Sequence, residues 1–434
     1  MSNVSNSTLQ PPAAASRIWL ARILLLLLAI GFLLQLNSPL RLNTDAVVLL
    51  SMGDSAAHNG GFLNHGQATV FPPGYPALLA FLLKAGFAHP WVILSLNAIF
   101  LVIGLLSVHA LLVRRLFQDR TVVLVICSIF LLSYVVIKHF TLPLTDVPFF
   151  CCSMCCLALL DAAIHQASSL RFLTLALSAW LLALVAIAVR RVGLALLPAL
   201  IFMLATSPQF RLLLKRASLV SRLALLAAAL LVCLVTAQVV RKTSTLSDLN
   251  TATQSVKTSE LVARVFNYRL TELGELFANF PFSRTPEKLR FVTPWIGFFA
   301  LLLFLYGLVS KRVQIGPTEV FLVCYTAILF TWPYYDARFW LPVLPLLAAY
   351  CALAAQRLRL PAVLVAAYCL VFAVLGFGAL AYSTRISFAG PKFPDKFGDG
   401  RLRSTYCAAL QSCAVVPNPS DVNPKVLHLL EEYK

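Results

Sequence analysis

IWLARILLLLLAIGFLLQL, residues 18–36, carries one charge, Arg22, in a run long enough to cross a bilayer as a helix. About 20 residues at 1.5 Å each cover roughly 30 Å of hydrocarbon. Asn37-Ser38-Pro39 follow it and offer no small-residue cleavage site, so the run reads as a retained first span, not a leader peptide. Ten more apolar runs follow, at 91–113, 121–137, 148–165, 172–189, 192–206, 223–240, 294–309, 318–333, 339–355 and 361–382. The pair 172–189 and 192–206 reads as one bent element or as two short tilted helices. Of 434 residues, 60% are apolar and 12% charged, and mean hydropathy is +0.84. These values exclude a soluble enzyme, a disordered chain and a coiled coil. Continuous rather than alternating apolarity excludes a transmembrane β-barrel. The expected fold is an all-α polytopic membrane protein with about 11 transmembrane helices.

The net charge of +18 has a topological reading. Arg17 and Arg22, Arg114, Arg115 and Arg120, Arg171, the basic cluster 211–222, Lys311 and Arg312, and Arg357 and Arg359 fall in one set of short loops. By the positive-inside rule that side is cytoplasmic. The N-terminus is then inside and, with an odd number of spans, the C-terminus outside. Segments 37–90, 241–293 and 383–434 fall on the outer face, with the turns 138–147 and 334–338. Basic residues between spans, with no aromatic-interleaved basic module, set nucleic acid aside. Two regions are expected: a transmembrane domain over 1–382 and a small outer appendage over 383–434. Helices are expected there at Arg403–Leu410 and Pro424–Tyr433. The second loop reads as one or two amphipathic helices over Glu260–Phe280.

The first outer loop holds the chemistry. Asn43-Thr44-Asp45 is a helix start, with Asn43 or Thr44 as cap and Asp45 in the first turn. The helix dipole there favours an ionised carboxylate, which a general base requires. The stretch Asp45–His58 reads as an amphipathic helix on the membrane surface, stopped by Asn59-Gly60-Gly61. Asp54 lies nine residues on, a rotation near 180° on an unbroken helix, so the two acids face apart. Surface polarity is the alternative reading of both. Phe71-Pro72-Pro73-Gly74-Tyr75-Pro76 then precedes the short apolar run Ala77–Phe87, which reads as a helix dipping into the outer leaflet.

These residues resemble a known family. An Asp just after the first span, followed by FPPGYPALLAFLLK at 71–84, resembles the GT-C superfamily of integral-membrane glycosyltransferases. The nearest groups are the protein O-mannosyltransferases, the lipid A aminoarabinose transferases and the RgtA-type enzymes. Thr145-Asp146-Val147-Pro148 is similar to the family's acidic-plus-Pro turn. Asp336-Ala337-Arg338-Phe339-Trp340-Leu341-Pro342 is similar to its Leu-Pro helix with an Arg at the outer mouth, and Arg190-Arg191-Val192-Gly193 to its Arg-x-x-Gly element. The likeness covers about residues 18–355. It departs at Val70 and Phe71, where some relatives carry a basic residue, and at Ala46, where many carry a second acid.

The resemblance implies transfer of a sugar, with inversion, from a polyprenyl-monophosphate carrier to a lipid, glycan or protein acceptor on the outer face of a bacterial inner membrane. Asp45 is the implied base. Arg338 is the implied phosphate ligand, its alternative being an interfacial anchor, with Tyr335 beside it. Arg190 and Arg191 are the next cations, or snorkelling helix ends. Asp146 orients the acceptor, ligates a metal or, as the plainer reading, pairs with an Arg. Asp54, His65, Tyr75 and Lys84 complete the candidate substrate ligands, against the plainer readings of solvated His and snorkelling Lys. No cofactor is required by the pattern; few acidic clusters favour a metal, although a divalent ion stays open. Asp161 reads as a helix-pairing group remote from the chemistry, and Cys151–Cys156 as packing in an apolar span. Cys407 and Cys413 are candidates for a disulfide across a turn. A transporter or lipid-linked glycan flippase, an outer-face polymerase or ligase, and a membrane scaffold are the competing classes.

Overall fold

A computed structural model describes residues 12–216, 218, 258–310, 315–397, 402–411, 413 and 419–433. The span expected at 223–240 and residues 241–257 of the second loop lie outside the described residues. Helix α1 (Pro12–Leu33) leads into a 3-10 turn, then α2 (Thr44–Ala57), a two-residue hairpin (Leu63–Asn64 with Gln67–Ala68) and α3 (Gly74–Lys84). Next come α4 (Pro90–Arg115), α5 (Arg120–Leu132), α6 (Tyr134–Phe140), α7 (Asp146–Ile164), α8 (Ser169–Val189), α9 (Leu196–Thr206) and α10 (Pro208–Arg216). After the undescribed stretch follow α11 (Thr258–Ala278), α12 (Val292–Val309), α13 (Pro317–Thr331), α14 (Leu344–Arg357) and α15 (Ala362–Ser387). The tail forms α16 (Phe393–Phe397), α17 (Arg403–Leu410) and α18 (Pro424–Glu432).

The architecture is all-α and polytopic. Among the described residues, seven helical segments are long and apolar enough to cross a membrane, or eight if one bent pair is a single span. Large apolar side chains face outward on them, with Leu170 73% and Val363 77% exposed. Such surface is stable against lipid, not water. One of the expected eleven spans is corrected in shape. Residues 121–137 are not a straight span: α5 and α6 meet at Ser133 with a 60° bend. Residues 192–206 and 318–333 form the short apolar helices Arg191–Thr206 and Pro317–Thr331, within two residues of the expected limits. The choice left open at 172–206 resolves into two helices, because Arg190 leaves the helical region at φ −153° and ψ 128°.

The bend at Ser133 is compensated by a side chain from elsewhere in the chain. It would strand the Leu132 carbonyl and the Tyr134 N–H in an apolar setting, where each unmet group is costly. The Asn279 side chain meets both, accepting from Tyr134 N at 2.8 Å and donating to Leu132 O at 3.0 Å. It also donates to Phe372 O on α15 at 3.0 Å. Asn279 sits just past α11, which is held by backbone approach to α12. A Cβ on Gly297 would lie 1.8 Å from Leu270 O, and one on Gly274 1.9 Å from Thr293 O. Only glycine permits that crossing.

The first loop and the tail share one end of the bundle. Buried Arg41 donates from Nε to Ser38 Oγ at 3.0 Å, and from its two terminal nitrogens to Ser383 Oγ, Ser383 O and Ser387 Oγ at 2.7–2.9 Å. The Tyr406 hydroxyl donates to Leu40 O at 2.9 Å and accepts from Leu42 N at 3.0 Å. Leu49, Leu50, Tyr75, Leu79, Tyr406 and Leu429 form a second apolar core there. Helix α2, expected on the membrane surface, is thus covered on one face by α3 and α18. Helices α17 and α18 match the two expected in the tail within a residue, and Cys407 and Cys413 are disulfide-bonded, Cα atoms 5.2 Å apart.

At the opposite end, Arg115 donates to Asp161 Oδ1 at 3.0 Å and to Glu319 Oε2 at 2.6 Å, tying α4, α7 and α13. Asp161 is therefore the helix-pairing group expected. Cys151, Cys152 and Cys156 are buried packing residues, as expected.

Candidate active site

Asn43 caps α2, its Oδ1 accepting the Ala46 N–H at 2.8 Å, and this puts Asp45 in the first turn. The Asp45 carboxylate receives a hydrogen bond from Arg338 Nη2. Arg338 Nε stands 2.7 Å from Asp336 Oδ2. Asp336 in turn caps the 3-10 turn Ala337–Val343, accepting the Arg338 N–H at 3.0 Å. Pro342 lies inside the turn and supplies no N–H to it. Arg338 is thus clamped between two carboxylates from distant parts of the chain.

A second pair stands beside the first. Arg190 Nη1 donates to Asp146 Oδ1. Asp146 opens α7 and is buried, while Arg190 ends α8. Both guanidiniums lie over the Phe339 ring, Arg190 at 5.3 Å and Arg338 at 5.6 Å from its centroid. Tyr325 fixes that residue, its hydroxyl donating to Phe339 O at 2.5 Å. Two Arg–carboxylate pairs therefore flank one aromatic ring. The Asp336 side chain keeps 36% of its surface exposed, Asp45 27% and Asp146 only 2%, so Asp45 and Asp336 are open to solvent and Asp146 is not.

A buried frame from α11 holds this turn, and it was not anticipated in the sequence. Glu272 accepts the Asp336 N–H at 2.7 Å and the Trp340 indole N–H at 2.8 Å. Arg269 Nη1 stands 2.8 Å from Glu272, and its Nη2 donates to Tyr334 O. Burial pushes the Glu272 carboxyl up to about 8, against the pull of Arg269 and the two N–H donors. Burial also raises the Glu275 carboxyl, which accepts from Tyr335, Tyr134 and the Phe282 N–H. The available signal was Arg269 and Glu272 at i, i+3 on a helix whose neighbouring face, Leu261, Val265 and Leu276, is apolar.

The other candidates fall elsewhere. Tyr335 packs against Tyr268 and Phe282 on the α11 side. Arg191 opens the turn Arg191–Ala195 after the Arg190 break. Tyr75 is buried in the second core. The Ser51 hydroxyl holds His65, accepting its backbone N–H at 3.0 Å and lying 3.2 Å from Nδ1. Burial, then Lys425, lowers the His65 imidazole. Lys84 is exposed and donates to Asn59 Oδ1 at 3.3 Å. Asp54 faces the tail helix α18, with His428 Nε2 3.3 Å away.

No family model matches the chain, and no curated protein matches it in sequence. Among solved structures, ArnT from Cupriavidus metallidurans in the apo state aligns with 97% of this chain and 78% of its own, at 14% identity and a TM-score of 0.49. The same protein bound to undecaprenyl phosphate aligns with 96% of this chain and 77% of its own, at 14% identity and a TM-score of 0.46.

Proposed function

We propose that this chain is an integral-membrane glycosyltransferase moving a sugar from a polyprenyl-monophosphate carrier to a lipid, glycan or protein acceptor. The reaction is assigned to the outer face of the membrane. The observation that carries this reading is the hydrogen bond between Asp45 and Arg338, 293 residues apart, beside the pair Asp146 and Arg190. A carboxylate poised for proton abstraction next to two guanidinium forks is what transfer from a lipid phosphate requires.

The steps balance on these residues. The acceptor hydroxyl gives its proton to Asp45, and its oxygen attacks the anomeric carbon from the face opposite the phosphate. The bond from that carbon to the phosphate oxygen breaks, the electron pair stays on the phosphate, and the configuration inverts. Arg338 and Arg190 offset the charge that grows on the leaving phosphate. Without donor, Asp45 and Arg338 neutralise each other. An arriving phosphate competes for Arg338 and frees Asp45 to act as base. We assign Asp146 to holding Arg190, and no substrate contact to Asp54, His65, Tyr75 or Lys84.

The test is mass spectrometry of envelope lipids and glycans from cells with the native chain and cells with Asp45→Asn at matched expression. Loss of a sugar increment in the variant, a fall in transfer of about 10²–10⁴-fold, is the expected result. It would identify sugar and acceptor together. An unchanged glycan profile with abundant native protein would move the reading to a transporter or to another base.

A further inference from the structure

The far end of α2 meets the tail helix α18 in a cluster that takes no part in the chemistry above. Asp54 on α2 and His58, the residue that ends it, are four apart and stand side by side; on α18, His428 and Glu432 are four apart and share a face. One ligating atom each from Asp54, His58 and Glu432 lies within 4.8 Å of the other two. His428 Nε2 reaches to 3.3 Å from Asp54 Oδ2. Asp54 Oδ1 is closed off from solvent and accepts no hydrogen bond, although His58 Nδ1 stands 3.1 Å away. The hydroxyl of fully buried Tyr433, next in sequence to Glu432, also lacks a partner among the described residues.

We propose that Asp54, His58, His428 and Glu432 form a binding site for a divalent transition metal, zinc first, that clasps the tail onto the first loop. Two imidazoles and two carboxylates are the donor set of a four-coordinate zinc centre. Calcium and magnesium are disfavoured, because they ask for more oxygen ligands than this pair of helices offers. Two carboxylate charges match a divalent ion and explain why two acids gather here without an Arg or Lys ion pair to either among the described residues. His58 and His428 are 64% and 57% exposed, so the site has an open approach from solvent. The ion would hold the C-terminal end of the helix whose first turn carries Asp45. This inference is independent of the glycosyltransferase reading.

The experiment uses the full chain, purified without a histidine tag, stripped with chelator and titrated with Zn²⁺. Metal content per chain and thermal unfolding are followed, with Co²⁺ as a visible-absorbance probe of coordination. The native protein is expected to take up a single zinc, to unfold at higher temperature with it, and to give the intense Co²⁺ band of a tetrahedral site. In His58→Ala/His428→Ala, all three responses are expected to vanish while the helical signal stays native, since both side chains are largely exposed. Equal zinc content and equal thermal shift in the double variant would overturn the proposal, because the metal would then sit elsewhere. So would a native protein, folded and stripped, that binds no zinc.

Discussion

Arg338 is the residue on which the site turns. It bonds Asp45, faces Asp336 at 2.7 Å and covers Phe339. Lysine cannot reproduce that fork, so Arg338→Lys and Arg338→Ala are both expected to weaken donor binding. Losing hydrogen bonds to a charged group costs about 1.5–3 kcal/mol each, or a rise in donor KM of roughly 10–100-fold. Unchanged donor affinity would return Arg338 to the role of an interfacial anchor. Glu272 acts one step further back, through the Asp336 N–H. Burial raises its carboxyl from the ordinary 4.5 to about 8, so the folded chain favours the protonated form. Its contribution to stability is full below pH 4.5 and lost as pH rises through about 8. Thermal unfolding of the native protein should fall across that window, while Glu272→Gln, which cannot ionise, should show a flatter profile. Identical profiles would remove Glu272 as the titrating group.

At the scale of elements, the bend between α5 and α6 and the crossing of α11 on α12 decide where the site residues go. Asn279 is the hinge pin of the first. Asn279→Ala removes three hydrogen bonds and leaves the Tyr134 N–H and Leu132 carbonyl unmet in an apolar setting. At about 1–3 kcal/mol per orphaned group, the expected loss of stability is several kcal/mol. It is read as a lower unfolding midpoint in detergent, and a midpoint within error of native would show that water replaces the side chain. A run of apolar residues reports that a helix is wanted, but not where its ladder breaks. The break here is offset by a side chain just past another helix, so hydropathy over 121–137 reads as a single span.

For the whole molecule, first loop and tail are one unit. Tyr406 joins them through Leu40 O and Leu42 N, and Arg41 joins the base of the loop to α15. Tyr406→Phe keeps the ring in the second core but leaves both backbone groups without the hydroxyl. A loss of about 1–3 kcal/mol is expected, with faster proteolytic cutting at the Asn59–Gly61 turn as α18 loosens from α2. Cutting at the native rate would mean that apolar packing alone holds the tail.

The sequence by itself determined the solvent and the periphery of this protein. Apolar runs, the Asn43 cap, the Pro-rich start of α3 and the tail helices are local features, set by burial energy and backbone chemistry within a few residues. It also singled out Asp45 by its place in a helix's first turn, Arg190 as a charge that is costly beside a span unless something meets it, and Asp146 and Arg338 through a family resemblance. Only the tertiary structure decided what meets them. The pairing of Asp45 with Arg338, the buried Arg269–Glu272 support, the bond from Asn279 to a distant bend and the grouping of Asp54 with His428 all join residues far apart in the chain. Such contacts depend on how helices cross, and crossing is set by the close approach of small residues such as Gly274 and Gly297 rather than by any periodicity along one segment.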